Sequence, residues 1–498
     1  MFAWLGRLLG YGGKRRNPPP ARPRAGRGQV RARYDAAQTT AGNAKHWGGA
    51  DGLGPVAANW AGTRYVLRNR ARYEYENNSY CGGMVETLAN DSIGTGPRPQ
   101  VRSADPAFDA AVEARFREWA GGVIPGQGED TAGIGLAGKL RLARQTRTAL
   151  GEVFLLLTTD AETARPVKLD VTPLEPDHVD TPYGGRSAHP NVWEGVEYGP
   201  NRKPVAYHVA REHPGDGTMG GMTWDRVEAR HVVHWFKPKR CGQVRGVPEI
   251  TAALPLFNDL RRYTLASVAA AETAASVAAV LESDAPADGE DAVEGEPFET
   301  FELERGSLMN LPSGHRLGQV KAEQPTTTYP AFKREIVSEV GRGLHMPYNV
   351  AAGDSSTYNY ASGRLDHTEY GDATRVEQAE TNEKVLDRVF AAWYREARLV
   401  PGHLPPQPAG GFTLSWQYDG SPHVDPVKEA TAQQQRLQNS TTTLRRECEL
   451  AGLDWEEVLA QRARERRRMA ELGIPDPAAP VAPPPPATDP EEEESADA

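Results

Sequence analysis

A long helix built from small side chains is the sequence feature that most constrains the fold. Residues Leu254 to Leu281 are predicted to form one helix, which at 1.5 Å per residue would be about 42 Å long. Its second half consists almost entirely of Ala, Ser, Thr and Val, and side chains without bulk allow helix axes to approach closely. Because such a stripe would be adhesive on an isolated monomer, we expect this helix to pack against copies of itself.

Composition indicates two or three structural regions together with tail or linker. The chain has 498 residues, more than one ordinary core, and it contains 50 glycines, 40 prolines and only 39% hydrophobic residues. Its three cysteines (Cys81, Cys241 and Cys448) are widely spaced and odd in number. They favour a reduced, cytosolic setting over a disulfide framework.

The two ends of the chain are predicted to be disordered and carry opposite charges. The N-terminal arm is rich in Lys and Arg, whereas the C-terminus ends in the run Glu491 to Glu494. A net charge of −10 disfavours a protein that grips duplex DNA through phosphate contacts, although the basic arm alone could touch nucleic acid. The N-terminus lacks the pattern of a signal peptide. The Ala-rich stretch Tyr263 to Leu281 contains Glu272, so we expect a soluble helix there and no membrane span.

The hydrophobic pattern predicts an α+β protein. Helices are predicted within 35–100 and over 105–120, 138–149, 329–343, 362–398, 425–449 and 454–472. A buried strand is predicted over 151–157, a β-rich region over 165–240, and short strands over 298–303 and 308–311.

One segment has the spacing of a phosphate-binding loop. Gly133 to Lys139 places Gly, four residues and then Gly-Lys, but Leu140 stands where the motif needs a hydroxyl to hold Mg²⁺. No hydrophobic strand precedes the segment. We therefore favour a loop that caps a helix beginning at Gly138, and a nucleotide-dependent enzyme using this loop is the alternative.

An acidic group and a pair of histidines are the candidate metal ligands. Glu175, Asp177, His178 and Asp180 could hold a hard metal or act as acid and base, yet two prolines in the same stretch favour a surface turn. The histidines at 231 and 234 lie in a β-branched, aromatic run. In a strand this spacing places them on opposite faces, so we predict no metal site.

The segment Gly353 to Arg364 is a polar, turn-rich loop between two predicted long helices, and loops of that length commonly carry function. Its Gly-Asp-Ser start is similar to that of a serine-protease motif, but the glycines that should follow are Ser356 and Thr357. No His and Asp partners can be named. We predict no catalytic residue.

Four blocks of sequence resemble the portal proteins of lambda-like tailed phages. In chain order they are Arg64 to Gln100, with the arginine-spaced Leu67 to Arg72 and the turn Asp91 to Gly96; Gly242 to Pro248; Gly353 to Arg364; and Asp425 to Glu429 with Gly452 to Glu457. The family commonly has Asn-Tyr-Ser-Ser in the third block, where this chain has Asn-Tyr-Ala-Ser at 359–362. The order and spacing of the blocks over roughly 35–473 make the resemblance specific.

The resemblance implies a portal fold that assembles into a ring, usually of twelve subunits. It has a mixed α/β wing, long stem helices, a small β-containing clip and an α-helical C-terminal crown. The implied regions are a disordered basic arm (1–34), the first part of the wing (35–253), a stem helix (254–281), the clip (282–325), a second stem helix (326–345), the tunnel loop (346–365), the wing return (366–424), the crown helices (425–473) and a disordered acidic tail (474–498).

The resemblance also implies a structural virion protein at one capsid vertex, without cofactor, metal or membrane. Its expected partners are double-stranded DNA, the terminase large subunit, capsid and scaffold proteins and head–tail adaptor proteins, with assembly in the host cytoplasm. The residues expected to line the tunnel are Ser355, Ser356, Thr357, Tyr358, Asn359 and Tyr360. Arg364 is expected either to anchor the loop to the next helix or to form an ordinary salt bridge. Another head protein, or a prophage or gene-transfer particle component, is a further alternative.

Overall fold

A computed structural model describes residues 41–42, 44–121, 134–161, 163–182, 190–217, 222–276, 280–283, 315–318, 328–420 and 425–475. The chain divides into two units, Met1–Gly54 and Pro55–Ala498. In the first unit the described residues form turns and irregular chain with exposed side chains. The fold below is that of the second unit.

Helices account for most of the regular structure in these ranges. They are α1 (Pro55–Ala58), α2 (Ala61–Asn77), α3 (Ser79–Ile93), α4 (Pro106–Gly121), α5 (Leu136–Leu150), α6 (Leu254–Ser276), α7 (Tyr329–Gly343), α8 (Tyr348–Ala352), α9 (Tyr360–Thr381), α10 (Asp387–Ala397), α11 (Pro426–Gln438), α12 (Leu444–Leu450) and α13 (Trp455–Leu472).

The strands form small antiparallel sheets. They are β1 (Arg98–Arg102), β2 (Glu152–Thr159), β3 (Leu169–Leu174), β4 (Val192–Trp193), β5 (Val196–Tyr198), β6 (Pro204–Ala210), β7 (Trp224–Glu228), β8 (Val232–Phe236), β9 (Val280–Ser283), β10 (His315–Gly318) and β11 (Thr413–Gln417). The strand orders are β3-β2-β8, β4-β5-β6-β7, β1-β11 and β9-β10.

The sheet β3-β2-β8 is buried on both faces. Val153 and Leu155 of β2 belong to the core shared with α4, α5 and α10, whereas Phe154 points to the other face and packs with residues of β5 and β6. Successive side chains of a strand point to opposite faces, so the continuous apolar run of β2 serves both layers.

A second core joins the root of α6 to the helices around it. Phe257 and Leu260 of α6 pack with Val337 and Val340 of α7 and with residues of α2, α3 and α8. Farther along α6, Tyr263 stacks on a tyrosine of α7 with ring centroids 5.7 Å apart. The two helices are therefore held together by aliphatic contacts at the root and aromatic contacts above it.

One helical path leads from the second core to the first. Tyr370 of α9 is buried in the second core, and Phe390 and Trp393 of α10 are buried in the first. Between α9 and α10 the residues Asn382–Leu386 form a π-helical turn. The chain therefore remains helical from Tyr360 to Ala397 but changes its hydrogen-bond pattern between the cores.

Most sequence predictions of regular elements are confirmed. The helices over 105–120, 138–149, 329–343 and 454–472 appear as α4, α5, α7 and α13, and the buried strand over 151–157 appears as β2. The β-rich region over 165–240 contains β3 to β8. The helix predicted from 362 begins at Tyr360 and includes the π-helical turn.

Two helix predictions are wrong in extent. The predicted helix Leu254 to Leu281 extends too far, because Val280–Ser283 is a strand that pairs with His315–Gly318, and this pairing overrides local helix preference. The predicted helix over 425–449 is two helices. Ser440 has φ +55°, which a helix cannot accommodate, and the Thr443 side chain caps the next helix by accepting from the Arg446 backbone N–H. The predicted strands over 298–303 and 308–311 lie outside the described residues.

Candidate functional site

The predicted tunnel loop joins α8 to α9. Gly353 ends α8 at φ +64°, a left-handed conformation that favours glycine. The Asp354 carboxylate then accepts a hydrogen bond of 2.9 Å from the Ser356 backbone N–H. The side chains of Ser355, Ser356 and Thr357 are exposed. The loop thus begins in a defined turn and presents three small hydroxyl side chains outward.

The end of the loop is fixed by the start of α9. The Asn359 side chain accepts from the Ser362 backbone N–H at 2.9 Å, and the Ser362 hydroxyl accepts from the Asn359 backbone N–H at 3.3 Å. Such a capping box satisfies both donors reciprocally. Tyr360 is 45% exposed, and the Lys428 ammonium lies 5.3 Å from the centre of its ring. Tyr358 is half-buried, and burial raises the pKa of its hydroxyl.

Arg364 lies one turn into α9 with an exposed side chain. Its guanidinium makes no hydrogen bond or ion pair to any residue in the described part of the chain. Asp425 raises the pKa of Lys428, and the nearby charge of Arg364 acts in the opposite sense. The anchoring role of Arg364 and the tunnel-facing role of the loop residues stay predictions.

The phosphate-loop lysine is engaged elsewhere. The helix begins at Leu136, two residues before the predicted start at Gly138. Lys139 is buried, and its ammonium lies 2.5 Å from a carboxylate oxygen of Asp170 on β3. A lysine committed to this ion pair is not available to a nucleotide phosphate.

The acidic group near 175 is paired with arginines of α2. Arg72 lies 2.8 Å from both Glu175 and Asp177, and Arg68 lies 3.0 Å from Asp177. His213 approaches Glu175 at 3.5 Å. Guanidinium groups already satisfy these carboxylates, so the arrangement favours an ion-pair network over a metal site.

The remaining members of that group, and the histidine pair, lie apart. The predicted turn is a 3₁₀ turn over Pro176–His178, and Asp180 is exposed beyond it. His231 is exposed in a 3₁₀ turn just before β8, whereas His234 is inside β8. The two histidines therefore lie in different elements, and His231 precedes the strand that was predicted to contain both.

A buried ionic cluster around Glu152 was not predicted from the sequence. Arg245 Nε donates to the two Glu152 oxygens at 2.9 and 3.0 Å, and Arg64 Nη1 donates at 3.2 Å. The Gly246 backbone N–H donates to Glu152 at 2.7 Å, and His234 Nε2 lies 2.9 Å from the same carboxylate. This one carboxylate therefore joins α2, β2, β8 and the segment before α6.

The charge state of the cluster follows from its contacts. Burial alone would raise the pKa of Glu152, but Arg245, the His234 hydrogen bond and Arg64 outweigh it and hold the pKa well below its usual range. Burial lowers the pKa of His234 against the opposing effect of Glu152. Glu152 is thus an anion whose role is to neutralise buried guanidinium groups.

Two glycines allow this cluster to form. Gly151 has φ +96°, and a Cβ there would lie 2.4 Å from the Val247 carbonyl carbon. A Cβ on Gly246 would lie 2.1 Å from the Gly151 carbonyl oxygen. The backbones therefore approach more closely than any side chain would permit.

A second buried network lies beside the first. Glu249, in the turn that leads into α6, pairs with Arg144 at 3.0 Å and with Arg147 at 2.9 Å. Glu377 of α9 lies 2.5 Å from Arg147. Burial would raise the pKa of Glu249, yet Arg144 and Arg147 hold it at about 2. The network links α5, the root of α6 and the far half of α9.

The arginine-rich part of the first resembling block and the Gly242 to Pro248 block meet in these networks. Arg64, Arg68 and Arg72 come from the former and Arg245 from the latter. Arginines recurring every four residues on α2 were a usable signal, since this spacing places them on one helix face. Their partners lie about a hundred positions away in sequence and could not be identified from spacing.

The fold and these residues define a class of protein: an α+β protein whose buried carboxylates pair with arginines from separate helices and strands. Residues 45–378 match the family of phage portal proteins described as the lambda family. The chain therefore belongs to that family. It is a structural head–tail connector of the virion, not an enzyme, and acts as a homo-oligomeric ring.

Similar proteins include a probable portal protein of Halomonas phage phiHAP-1, 26% identical over 479 residues that cover 92% of this chain and 91% of the relative. Portal protein B of Escherichia phage lambda is 22% identical over 502 residues, covering 87% and 92%. A chain from the neck of an empty gene transfer agent particle aligns with TM-score 0.46 and 16% identity over 77% of this chain and 92% of that one. The family assignment rests on the sequence matches.

No helix in the described ranges is long and apolar enough to cross a membrane.

Proposed function

We propose that this chain forms a twelve-subunit ring at one capsid vertex through which double-stranded DNA passes. The terminase large subunit packages the DNA through the ring, and head–tail adaptor proteins dock on it afterwards. Assembly takes place in the host cytoplasm with capsid and scaffold proteins. In this ring, Ser355 to Tyr360 face the DNA, and Arg364, which is exposed near the start of α9 in the single subunit, anchors the loop to α9 once the ring has formed.

The loop between α8 and α9 is the observation that carries the proposal. It is held by a left-handed glycine at one end and a capping box at the other, while Ser355, Ser356 and Thr357 are exposed between them. Hydroxyl groups can contact phosphates, but they carry no charge that would hold the DNA by counterion release. Such a loop suits a surface along which DNA must slide.

The proposed first stem helix, α6, is a second feature that supports the proposal of a ring. Above its root, α6 touches α7 on one side through Tyr263, while Leu265 is 63% and Val268 is 50% exposed. Exposed aliphatic side chains beside small residues form a face that a neighbouring subunit can cover. In a closed ring every copy repeats the same contact, so one such face serves all subunits.

The proposed sliding surface is tested by changing its charge. The variant S355K/S356K/T357K should form rings but package DNA more slowly and with stronger salt dependence, because repeated lysines would bind phosphates. The matched variant S355Q/S356Q/T357Q adds bulk without charge and should package nearly as well as the unmodified chain. Rings are checked by electron microscopy, and packaging by DNA protected from nuclease.

Deletion of residues 353–360 tests whether the loop is needed at all. We expect rings of normal appearance but poor packaging or DNA retention. Equal packaging by the lysine and glutamine variants would refute the sliding surface, and a normal virion yield from the deletion would remove the role of the loop.

A further inference from the structure

The last helix of the described chain is fixed at its N-terminal end. The Asp454 side chain accepts from the Glu456 backbone N–H at 2.8 Å and from Gln100 Nε2 at 2.9 Å. Arg117 of α4 lies 3.0 Å from Glu457. The beginning of α13 is therefore attached to β1 and α4.

Beyond this attachment α13 is largely exposed in the described part of the chain. None of its 18 residues is buried, and Leu459 and Leu472 are 41% and 56% exposed. Helices in proteins gain most of their stability from burying one face. The exposed part of α13 is consequently a surface that can accept a further segment.

This exposed part is strongly basic. We define the arginine surface by five residues of α13: Arg462, Arg464, Arg466, Arg467 and Arg468. Over 461–468 the only acidic residue is Glu465, so the formal charge is five minus one, or +4, in a chain of net charge −10. Arg462 and Arg464 have no hydrogen bond or ion pair with the described residues, and Arg468 has only its neighbour Glu471 at 2.9 Å.

A segment of opposite charge follows in the same chain. Residues 489–497 contain Asp489, Glu491 to Glu494 and Asp497, six acidic residues without a basic one. The 16 residues from 473 to 488 can span up to about 50 Å at roughly 3.1 Å per residue. The arginine surface begins ten residues before the end of α13, about 15 Å along the helix, so the acidic segment can reach all of it.

We propose that the acidic segment 489–497 docks on the arginine surface of its own chain. The charges are complementary, and the short connection gives the segment a high effective concentration at the helix. Docking covers guanidinium groups that would otherwise bind any polyanion, including DNA, through counterion release. The acidic segment thereby acts as a built-in competitor of nucleic acid at α13.

The test uses a labelled peptide of residues 487–498 and the chain ending at Pro475. Fluorescence anisotropy should show binding that weakens as salt is raised. A peptide with Gln at 491–494 should bind at least about tenfold more weakly, as should the protein variant R464Q/R467Q/R468Q. The matched variant R464K/R467K/R468K keeps the charges and should retain most of the affinity. None of these side chains is buried, so the variants should fold normally.

A second measurement uses the full-length chain. A short labelled DNA duplex should bind the chain ending at Pro475 about tenfold more tightly than the full chain, and the three glutamines should remove this gain. Equal DNA binding by the two chains would overturn the proposal. It would also be overturned by peptide binding that ignores the arginine changes, or by loss of peptide binding in assembled rings, which would show that a second copy covers α13.

Discussion

Arg147 and Glu249 form an ion pair of 2.9 Å in the interior of the protein. Arg147 belongs to α5, and Glu249 lies in the turn from which α6 begins. Because Glu377 of α9 pairs with the same guanidinium, one arginine connects the root of the candidate stem helix with the helix that carries the loop.

The substitution E249Q should destabilise the protein and weaken the dependence of its free energy of unfolding on acidic pH. The pKa of Glu249 in the folded protein is about 2, below its ordinary value of 4.5. Its stabilising effect is therefore present above pH 4.5 and lost as the pH falls towards 2. The shift corresponds to on the order of 3 kcal/mol. At neutral pH the variant leaves Arg144 and Arg147 undercompensated and should lose about 3–5 kcal/mol.

Urea unfolding followed at several pH values measures both effects. The control is E118Q, because Glu118 pairs with Arg115 at the surface, where both side chains are about half exposed or more, and such pairs contribute less than about 1 kcal/mol. An E249Q protein as stable as E118Q would show that the buried network has no net stabilising role.

Glu113 should make the protein less stable at higher pH. Burial raises its pKa to about 7, although the Val101 backbone N–H, which donates at 2.6 Å, and Arg102 act against this. A raised pKa gives stability that is complete below pH 4.5 and is lost as the pH rises through 7. After allowance for partial solvent exposure, the loss should be about 1–2 kcal/mol.

The variant E113Q stays neutral and keeps an oxygen for the Val101 N–H. Its free energy of unfolding should therefore lack this fall between mildly acidic and mildly alkaline pH. The comparison is made by urea titration of both proteins under the same conditions. Identical pH profiles would show that Glu113 ionises normally in the folded protein.

The close contact of Gly246 with Gly151 predicts a strong effect of a single methyl group. In G246A the new Cβ would lie 2.1 Å from the Gly151 carbonyl oxygen and 2.6 Å from the Glu152 Cβ. The backbone must move apart, which should cost about 2–4 kcal/mol and disturb the Glu152 cluster. The control is G343A at the end of α7, where nothing lies within 4 Å of the added Cβ. Thermal unfolding should show a lower Tm for G246A only.

The exposed side of α6 predicts an assembly defect without a folding defect. Leu265 is 63% exposed, so L265D should change the stability of the subunit by less than about 0.5 kcal/mol. It should nevertheless prevent ring formation, because each copy would place a charge in the contact with its neighbour. Light scattering and electron microscopy under conditions in which the unmodified chain forms rings provide the measurement.

A matched control is L399D. Leu399 is 78% exposed and follows α10, whose buried residues belong to the first core and not to the core at the root of α6. Rings of normal mass from L265D would contradict the inter-subunit role of this helix face, and loss of rings in L399D would show that any exposed aspartate disturbs assembly.

Local patterns predicted the elements that depend on neighbouring residues. The apolar spacing of α4 and the continuous apolar run of β2 each involve residues that are close in sequence. Both elements could therefore be predicted from the sequence. The end of α6 could not, because the strand at 280–283 exists through pairing with residues 315–318. Element type was therefore predictable where local chemistry decides and not where a distant strand does.

The candidate site shows the same division. The position of the loop between two helices was predicted from its polar, turn-rich sequence, whereas the cap at Asn359 was not. The buried clusters were not predicted either, since Glu152 and Arg245 are 93 positions apart. A glutamate at the start of a buried apolar strand indicates that its carboxylate needs a positively charged partner. The sequence alone does not show which arginine provides that charge.

The π-helical turn Asn382–Leu386 determines how the two halves of this long helix are rotated relative to each other about the helix axis. A turn of this kind corresponds to one additional residue in a helix, and one residue rotates a helix by about 100°. The turn thus fixes the orientation of the half that carries the loop relative to the half anchored by Phe390 and Trp393. The wide turn takes up this additional residue, so that Tyr370 and Phe390 both face their own cores. A regular α-helix of the same number of residues would rotate one half by about 100° against the other, and the loop would then point away from its present direction.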